Sequence, residues 1–141
     1  MIATFTAINC KHQSGGVMRG TLDYVSQKKK TLWGDAQLVA GHNCVSQSAY
    51  TEMLTTKQQF RKTDGRQFYH FVQSFAEDDP IIPAEANAIG LELAQRELSG
   101  FEVVIATNVG TNHIHNHLVV NSVSCVDGRK IWKPYSSTGR W

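Results

Sequence analysis

Hydrophobic and polar positions alternate from the first residues. Ile2, Thr4, Thr6 and Ile8 fall against Ala3, Phe5 and Ala7, a period of two that predicts a strand over residues 1–9. Residues 10–16 break that alternation with His12 and Ser14-Gly15-Gly16, and read as a loop. Met18, Leu22 and Val25 then recur at helical spacing, predicting a helix over 17–27 whose apolar stripe leaves Tyr24 out. Lys28, Lys29 and Lys30 follow at its expected C-terminal end, where cations suit the helix dipole. A short strand is expected over 37–44. Ser46 or Ser48 then caps a helix reaching residue 62, with Tyr50, Met53, Leu54 and Phe60 in its stripe and Lys57 between its turns.

The second half is patterned more sharply. Residues 67–76, QFYHFVQSFA, are aromatic and β-branched enough for a strand, with His70, Val72 and Ser74 on one face and Tyr69, Phe71, Gln73 and Phe75 on the other. Asp78, Asp79 and Pro83 announce a helix that runs to residue 98 with Ala86, Ile89, Leu93 and Ala94 inward, and Gly100 stops it. Strands are predicted over 101–108 and 114–124. The short connection 109–112 makes them an antiparallel pair. Val126-Asp127-Gly128-Arg129 carries a hairpin-turn signature, with 130–133 returning as a strand, and 134–141 has no pattern. No internal repeat or linker interrupts the chain. The reading is a single α+β domain, a two-layer architecture of antiparallel sheet with flanking helices.

Composition narrows the class only a little. A chain of 141 residues fits one domain and buries about two-thirds of its unfolded surface, so folding needs neither disulfide nor metal. Hydrophobic content of 41% against 18% charged excludes a disordered tail. No apolar run approaches the ~18–20 residues of a membrane span, and the N-terminus lacks a signal-peptide layout. Cys10, Cys44 and Cys125 are widely spaced without a CxxC pair, which fits a reduced, cytoplasmic protein. The net charge of +2 neither demands nor excludes nucleic acid. The histidines do change the picture, because His113, His115 and His117 fall within five residues.

In HIHNHLVVNS a strand turns Ile114, Leu118 and Val120 to one face and His113, His115, His117 and Asn121 to the other. Residues two apart lie roughly 6.6 Å from each other, close enough for two imidazoles to converge on one ion, whereas the outer pair is about 13 Å apart. Two of the three are therefore expected as metal ligands, with a third donor from a neighbouring strand. Imidazoles without thiolates favour a catalytic ion over a structural one.

The segment ATNVGTNHIHNHLVVNSVSCVDGRK resembles motif III of relaxases, the mobilisation nucleases of conjugative plasmids and transposons. These belong to the HUH (histidine–hydrophobic–histidine) endonuclease superfamily. The resemblance continues through TLDYVSQKKKTLW and DGRQFYHFVQSFAEDDPI, covering nearly all of the chain up to Lys130. It implies a relaxase-like sheet with flanking helices, in agreement with the pattern above. It also implies an enzyme that cuts one DNA strand at a transfer origin, stays on the 5′ end through a tyrosine and later rejoins the strand.

By that resemblance Tyr24 matches the nucleophile, and His115 and His117 match the ligands of a divalent metal (magnesium, manganese or zinc), joined by His113 and Asn108. Asn121 matches the asparagine closing the motif, as a hydrogen-bonding partner behind the ligands. Ser74 matches a DNA-contacting serine, with His70 beside it, while Arg19, Lys28, Lys29 and Lys30 are phosphate contacts and Trp33 can stack on an unpaired base. The implied partners are single-stranded DNA at a transfer origin, accessory relaxosome proteins and a type IV secretion coupling protein, with no membrane.

Three positions depart from the family pattern. Asn108 stands where a first histidine is expected, Gly110 where an aspartate is expected, and Asn112 where an acidic residue is frequent. Family members also continue with further helices past this motif, so residues 1–141 are expected to be one relaxase-type catalytic domain shortened at its C-terminus. These departures motivate an alternative, a degenerate DNA-binding module without catalysis. A rolling-circle replication initiator is the sister enzymatic alternative, but those usually place tyrosine after the histidines. A metal-binding domain with no DNA role completes the set.

Overall fold

Five strands assemble into one antiparallel sheet in the computed structural model, which describes residues 3–130. In chain order the elements are β1 (Ala3–Ile8), α1 (Gly15–Val25), α2 (Lys28–Thr31), β2 (Leu32–Trp33), β3 (Ala36–Gln37), β4 (Val39–His42), α3 (Ala49–Gln59), β5 (Phe68–Phe75), α4 (Pro83–Glu97), β6 (Val103–Asn108) and β7 (His115–Asn121). The sheet order is β1-β5-β7-β6-β4, and β2 and β3 form a separate small hairpin. The histidine strand β7 thus lies at the centre, paired on both sides. This is the α+β antiparallel sheet with flanking helices that the pattern predicts, but in three layers rather than the expected two, because helices cover both faces of the sheet.

Each face of the sheet has its own core. Phe68, Val104, Ala106 and Val119 pack against Met18, Leu22 and Val25 of α1 and Ala49 and Met53 of α3. On the other face Phe71, Val103, Ile105, Leu118 and Val120 pack against Ala94 of α4 and Leu98 after it. The α1 stripe is the predicted one, started by Ser14, whose hydroxyl accepts the Val17 amide N–H at 3.1 Å. In α4, Pro83 opens the helix and Glu85 reaches back to accept the Ile82 N–H.

Beyond the number of layers, the structure departs from the sequence expectation in four places. The lysines do not end α1. They form α2, a separate turn whose Lys30 carbonyl accepts the Val109 N–H at 2.9 Å and fastens it to the end of β6. The β2–β3 hairpin was not anticipated, because two-residue strands carry no periodicity, and Trp33 on it is exposed. Lys57, which the pattern sets between the turns of the α3 stripe, is fully buried. Finally, β7 begins only at His115, so His113 lies outside the predicted row. Of the expected return strand 130–133, a bridge from Val123 to Lys130 is present, and its remainder and the 134–141 tail lie outside the described residues.

Candidate active site

Register brings the candidate residues into rows. Ser74 on β5, His115 on β7 and Asn108 on β6 stand opposite one another, and Val72, His117 and Ala106 form the adjacent row. Opposed residues share a face. His70, one row further along β5, is on this face too, opposite Val119. The helices α1 and α3 cover the far part of the face, where Val119 and Phe68 are core. Towards His115 the side chains become half-exposed.

The histidines that meet are His70, His115 and His117. His70 Nε2 lies 2.8 Å from His117 Nδ1, diagonally across the strand pair. The His115 and His117 rings meet edge-on with centroids 5.0 Å apart. Burial lowers the pKa of His70. His117 is pushed down to about 4 by burial, and then by the charged forms of His70, His115 and Lys30. Both rings are therefore neutral at pH 7, the state in which one can donate to the other and in which an imidazole can ligate a metal. His115 Nδ1 lies 3.0 Å from the His113 carbonyl oxygen. A carbonyl only accepts, so this Nδ1 carries the proton and Nε2 keeps its lone pair.

Among the described residues no three His, Cys, Asp or Glu side chains converge as a metal-binding group. The donor chemistry of His115 and His117 nevertheless fits a divalent cation. Each has its Nδ1 engaged by an outer partner, the arrangement that orients ligating imidazoles and leaves Nε2 for the ion. His70 fills the outer-partner position for His117. The hydrogen bond between His70 Nε2 and His117 Nδ1 occupies that pair of nitrogens and leaves His117 Nε2 for an ion.

The other predicted residues divide. Asn108 faces His115 in register, but its Oδ1 accepts the Gly110 N–H at 3.0 Å. His113 turns outward, its Nε2 3.9 Å from Glu77. Asn121 is fully buried beyond Val119. Its amide donates to the Met53 carbonyl and to Glu102, and its oxygen accepts from Lys57. No hydrogen bond links it to His115 or His117. Arg19 stacks its guanidinium 5.4 Å from the Tyr50 ring centroid, and Lys28 and Lys29 are exposed.

Tyr24 projects from α1 and is 54% exposed. It lines an open cleft of about 480 Å³ between α1 and the ends of β1 and β5, together with Ile8, Cys10, Val17, Phe68 and His70. The tyrosine and the histidine that backs His117 thus border one opening. The Lys30 ammonium lies 3.4 Å from the Tyr24 ring centroid. Reasoning from sequence missed both ties. The β5 faces already placed His70 beside Ser74, but its partner on β7 follows only from the register.

Similarity to known proteins agrees with this geometry. The family model for the MobA/VirD2-like relaxase nuclease domain matches residues 24–140, beginning at Tyr24. A protein named rlx from Staphylococcus aureus is 34% identical over 88 residues, covering 62% of this chain and 26% of its own length. The group II intron-interrupted relaxase LtrB of Lactococcus lactis subsp. cremoris is 30% identical across an alignment of 137 residues that takes in 78% of this chain and 24% of LtrB. The chain therefore spans about a quarter of the length of the relatives it matches. With a family match over most of its residues, a central histidine strand, and a tyrosine sharing a cleft with the histidine bonded to that strand, the chain belongs to the MobA/VirD2-like relaxase nuclease-domain family.

Proposed function

We propose that this chain nicks and rejoins one DNA strand at a transfer origin during conjugative mobilisation, forming a 5′-phosphotyrosine through Tyr24. The observation that carries the reading is the shared cleft. Tyr24 and His70 border it, and His70 is bonded to His117 beside His115. A phenol is a weak nucleophile at neutral pH, so attack requires positioning, loss of the proton and relief of phosphate charge. Tyr24 supplies the oxygen. Its exposure leaves the hydroxyl open to a strand lying along the cleft. The Oη–P bond forms as the P–O3′ bond breaks, so the phosphodiester energy is kept for rejoining. His115 and His117 are the residues that would hold a divalent cation, which when bound supplies Lewis-acid stabilisation of the phosphate. Arg19, Lys28 and Lys29 hold neighbouring phosphates, and Ser74 lies in the His115 row to contact the strand. Accessory relaxosome proteins and a coupling protein belong to the same reading. No described helix is long and apolar enough to cross a membrane.

One observation favours the second reading, a DNA-binding module that has lost catalysis. Asn108 and Gly110 stand where a histidine and a carboxylate are expected, and the Asn108 carbonyl is bonded to Gly110 instead of being turned to His115. One experiment separates the readings. Single-stranded oligonucleotides tiling the transfer origin of the element that carries this gene are incubated with the chain and Mg²⁺ or Mn²⁺. A denaturant-stable adduct that disappears in Tyr24→Phe supports the nuclease; binding without adduct supports the module. Absence of binding by a folded chain rejects both.

A further inference from the structure

We propose that Lys30 is a positioning residue for Tyr24, its ammonium steadying the phenolate that attacks the phosphate. This rests on the reading of Tyr24 as the nucleophile. Three lysines follow one another on α2, yet only the Lys30 side chain is brought onto the tyrosine, with Nζ 3.4 Å from the ring centroid. Its backbone explains the placement. The Lys30 N–H donates to the Gln27 carbonyl at 3.0 Å, and its carbonyl accepts the Val109 N–H at 2.9 Å. The next residue, Thr31, is fully buried, with its hydroxyl donating to the same Gln27 carbonyl. The turn is therefore clamped to the end of β6, and the ammonium reaches back to α1 from a fixed base. Lys28 and Lys29 are exposed, without such a clamp on their carbonyls to the sheet.

The electrostatic surroundings of Tyr24 agree. Its hydroxyl is held below the ordinary phenol range, first by hydrogen bonding to Lys30, then by the Lys30 charge, with Lys29 adding to the effect. Of the other titratable groups, Cys10 after β1 and His70 on β5 line the same cleft, Asp23 precedes Tyr24 on α1, and His117 feels the same Lys30 charge from the sheet side. The position normally filled by the family aspartate is Gly110, which has no side chain to take a proton. A cation that favours the phenolate answers the same need differently. The phenol proton leaves to solvent, Tyr24 Oη bonds phosphorus, the P–O3′ bond breaks, and the departing 3′-oxygen takes a proton from water. Lys30 remains charged throughout and gains or loses nothing.

Two readouts test this on the full chain. Tyrosinate absorbance is titrated with pH for the wild type and Tyr24→Phe, their difference giving Tyr24 alone. The same pair is then measured with Lys30→Met, and Lys30→Arg serves as the conservative rescue. In parallel, the rate of adduct formation on the tiled single-stranded oligonucleotides with Mn²⁺ is followed against pH. The expected result is an upward move of the Tyr24 titration in Lys30→Met and a rate lower by at least about tenfold at neutral pH, the effect of removing an adjacent opposite charge. The deficit should close as pH rises, and Lys30→Arg should restore most of both. Lys28→Met should weaken binding without moving the pH profile. A wild-type adduct with an unmoved Tyr24 titration in Lys30→Met, or a deficit equal at every pH, would overturn the role of Lys30 alone. No wild-type adduct, or an adduct retained by Tyr24→Phe, overturns the nucleophile reading and this proposal together.

Discussion

A lysine with no exposed surface carries a cost that shows in its titration. Lys57 points inward from α3, donating to Asn121 and approaching Met18 Sδ at 3.7 Å, with Glu102 close enough to favour its charge. Burial outweighs that help and pushes its pKa down to about 8. Below pH 8 the folded and unfolded chains both carry the proton, and the cost of burying the charge, about 3 kcal/mol, is fully present. Between pH 8 and the ordinary value of 10.5 only the unfolded chain stays protonated, so unfolding takes up a proton and stability climbs with pH. Replacing the ammonium by an isosteric apolar chain, Lys57→Met, removes the titration. The wild type should therefore gain stability relative to Lys57→Met as pH rises from 8 to 10.5, measured as the difference in urea midpoints. A constant difference across that range would show that Lys57 is not desolvated in the folded chain. The same pocket explains why Asn121 is engaged away from the histidines: its amide is taken up by Glu102 and the Met53 carbonyl of α3, and its oxygen by Lys57.

At the scale of elements, α4 shows how closely helix and sheet approach. Asn116, on the face of β7 opposite the histidines, is fully buried. Its oxygen accepts from Thr107 at 2.6 Å, and its amide donates to Gln73 and to the Ala86 carbonyl of α4. Gly90 on α4 makes room for it, since a Cβ there would stand 2.7 Å from Asn116 Nδ2 and 2.8 Å from Ile105 Cγ2. Gly90→Ala gains about 1 kcal/mol of helix propensity. It loses more, because overpacking costs about 1–3 kcal/mol and the Asn116 bonds must shift as well. The expected net effect is a destabilisation of about 1–2 kcal/mol, read as a lower thermal midpoint; a midpoint equal to or above the wild type would refute the packing argument. Elements of this kind were legible in the sequence. The helix α4 carried both its start in Pro83 and its stop in Gly100, and β5 carried its alternation through eight residues. The β2–β3 hairpin was not legible, because two residues define no period and Gly34 alone marks the turn, at φ 63°. Nor was the burial of Lys57, since a charge in a helical pattern reads as solvent-facing unless its partners on other elements are known. The candidate site divides in the same way. Alternation sufficed for His115 and His117 sharing a face. The pairing of His70 with His117 and the reach of Lys30 to Tyr24 depend on contacts between elements distant in sequence.

Across the whole molecule, the net charge of +2 conceals two unlike sides. On and before α4 stand Glu77, Asp78, Glu85, Glu92 and Glu97, all exposed, with Arg96 the only basic residue of that helix and paired to Glu92 at 3.4 Å. On the opposite face of the sheet, around the cleft, stand Arg19, Lys28, Lys29 and Lys30. A polyanion is steered by the local field more than by the net charge, so single-stranded DNA should approach from the α1–α2 side while the α4 side repels it. Each phosphate neutralised on a single strand adds about 0.7 to the magnitude of the slope of log K against log salt. If Lys28 and Lys29 each contact one phosphate, the Lys28→Ala/Lys29→Ala double variant should bind a single-stranded oligonucleotide with a slope shallower by about 1.4. Arg96→Ala, on the far face, should leave the slope unchanged. Fluorescence anisotropy across a salt series measures both. An unchanged slope in the double variant would mean that the strand does not pass over α2, and a shallower slope in Arg96→Ala would place it on the wrong side of the sheet.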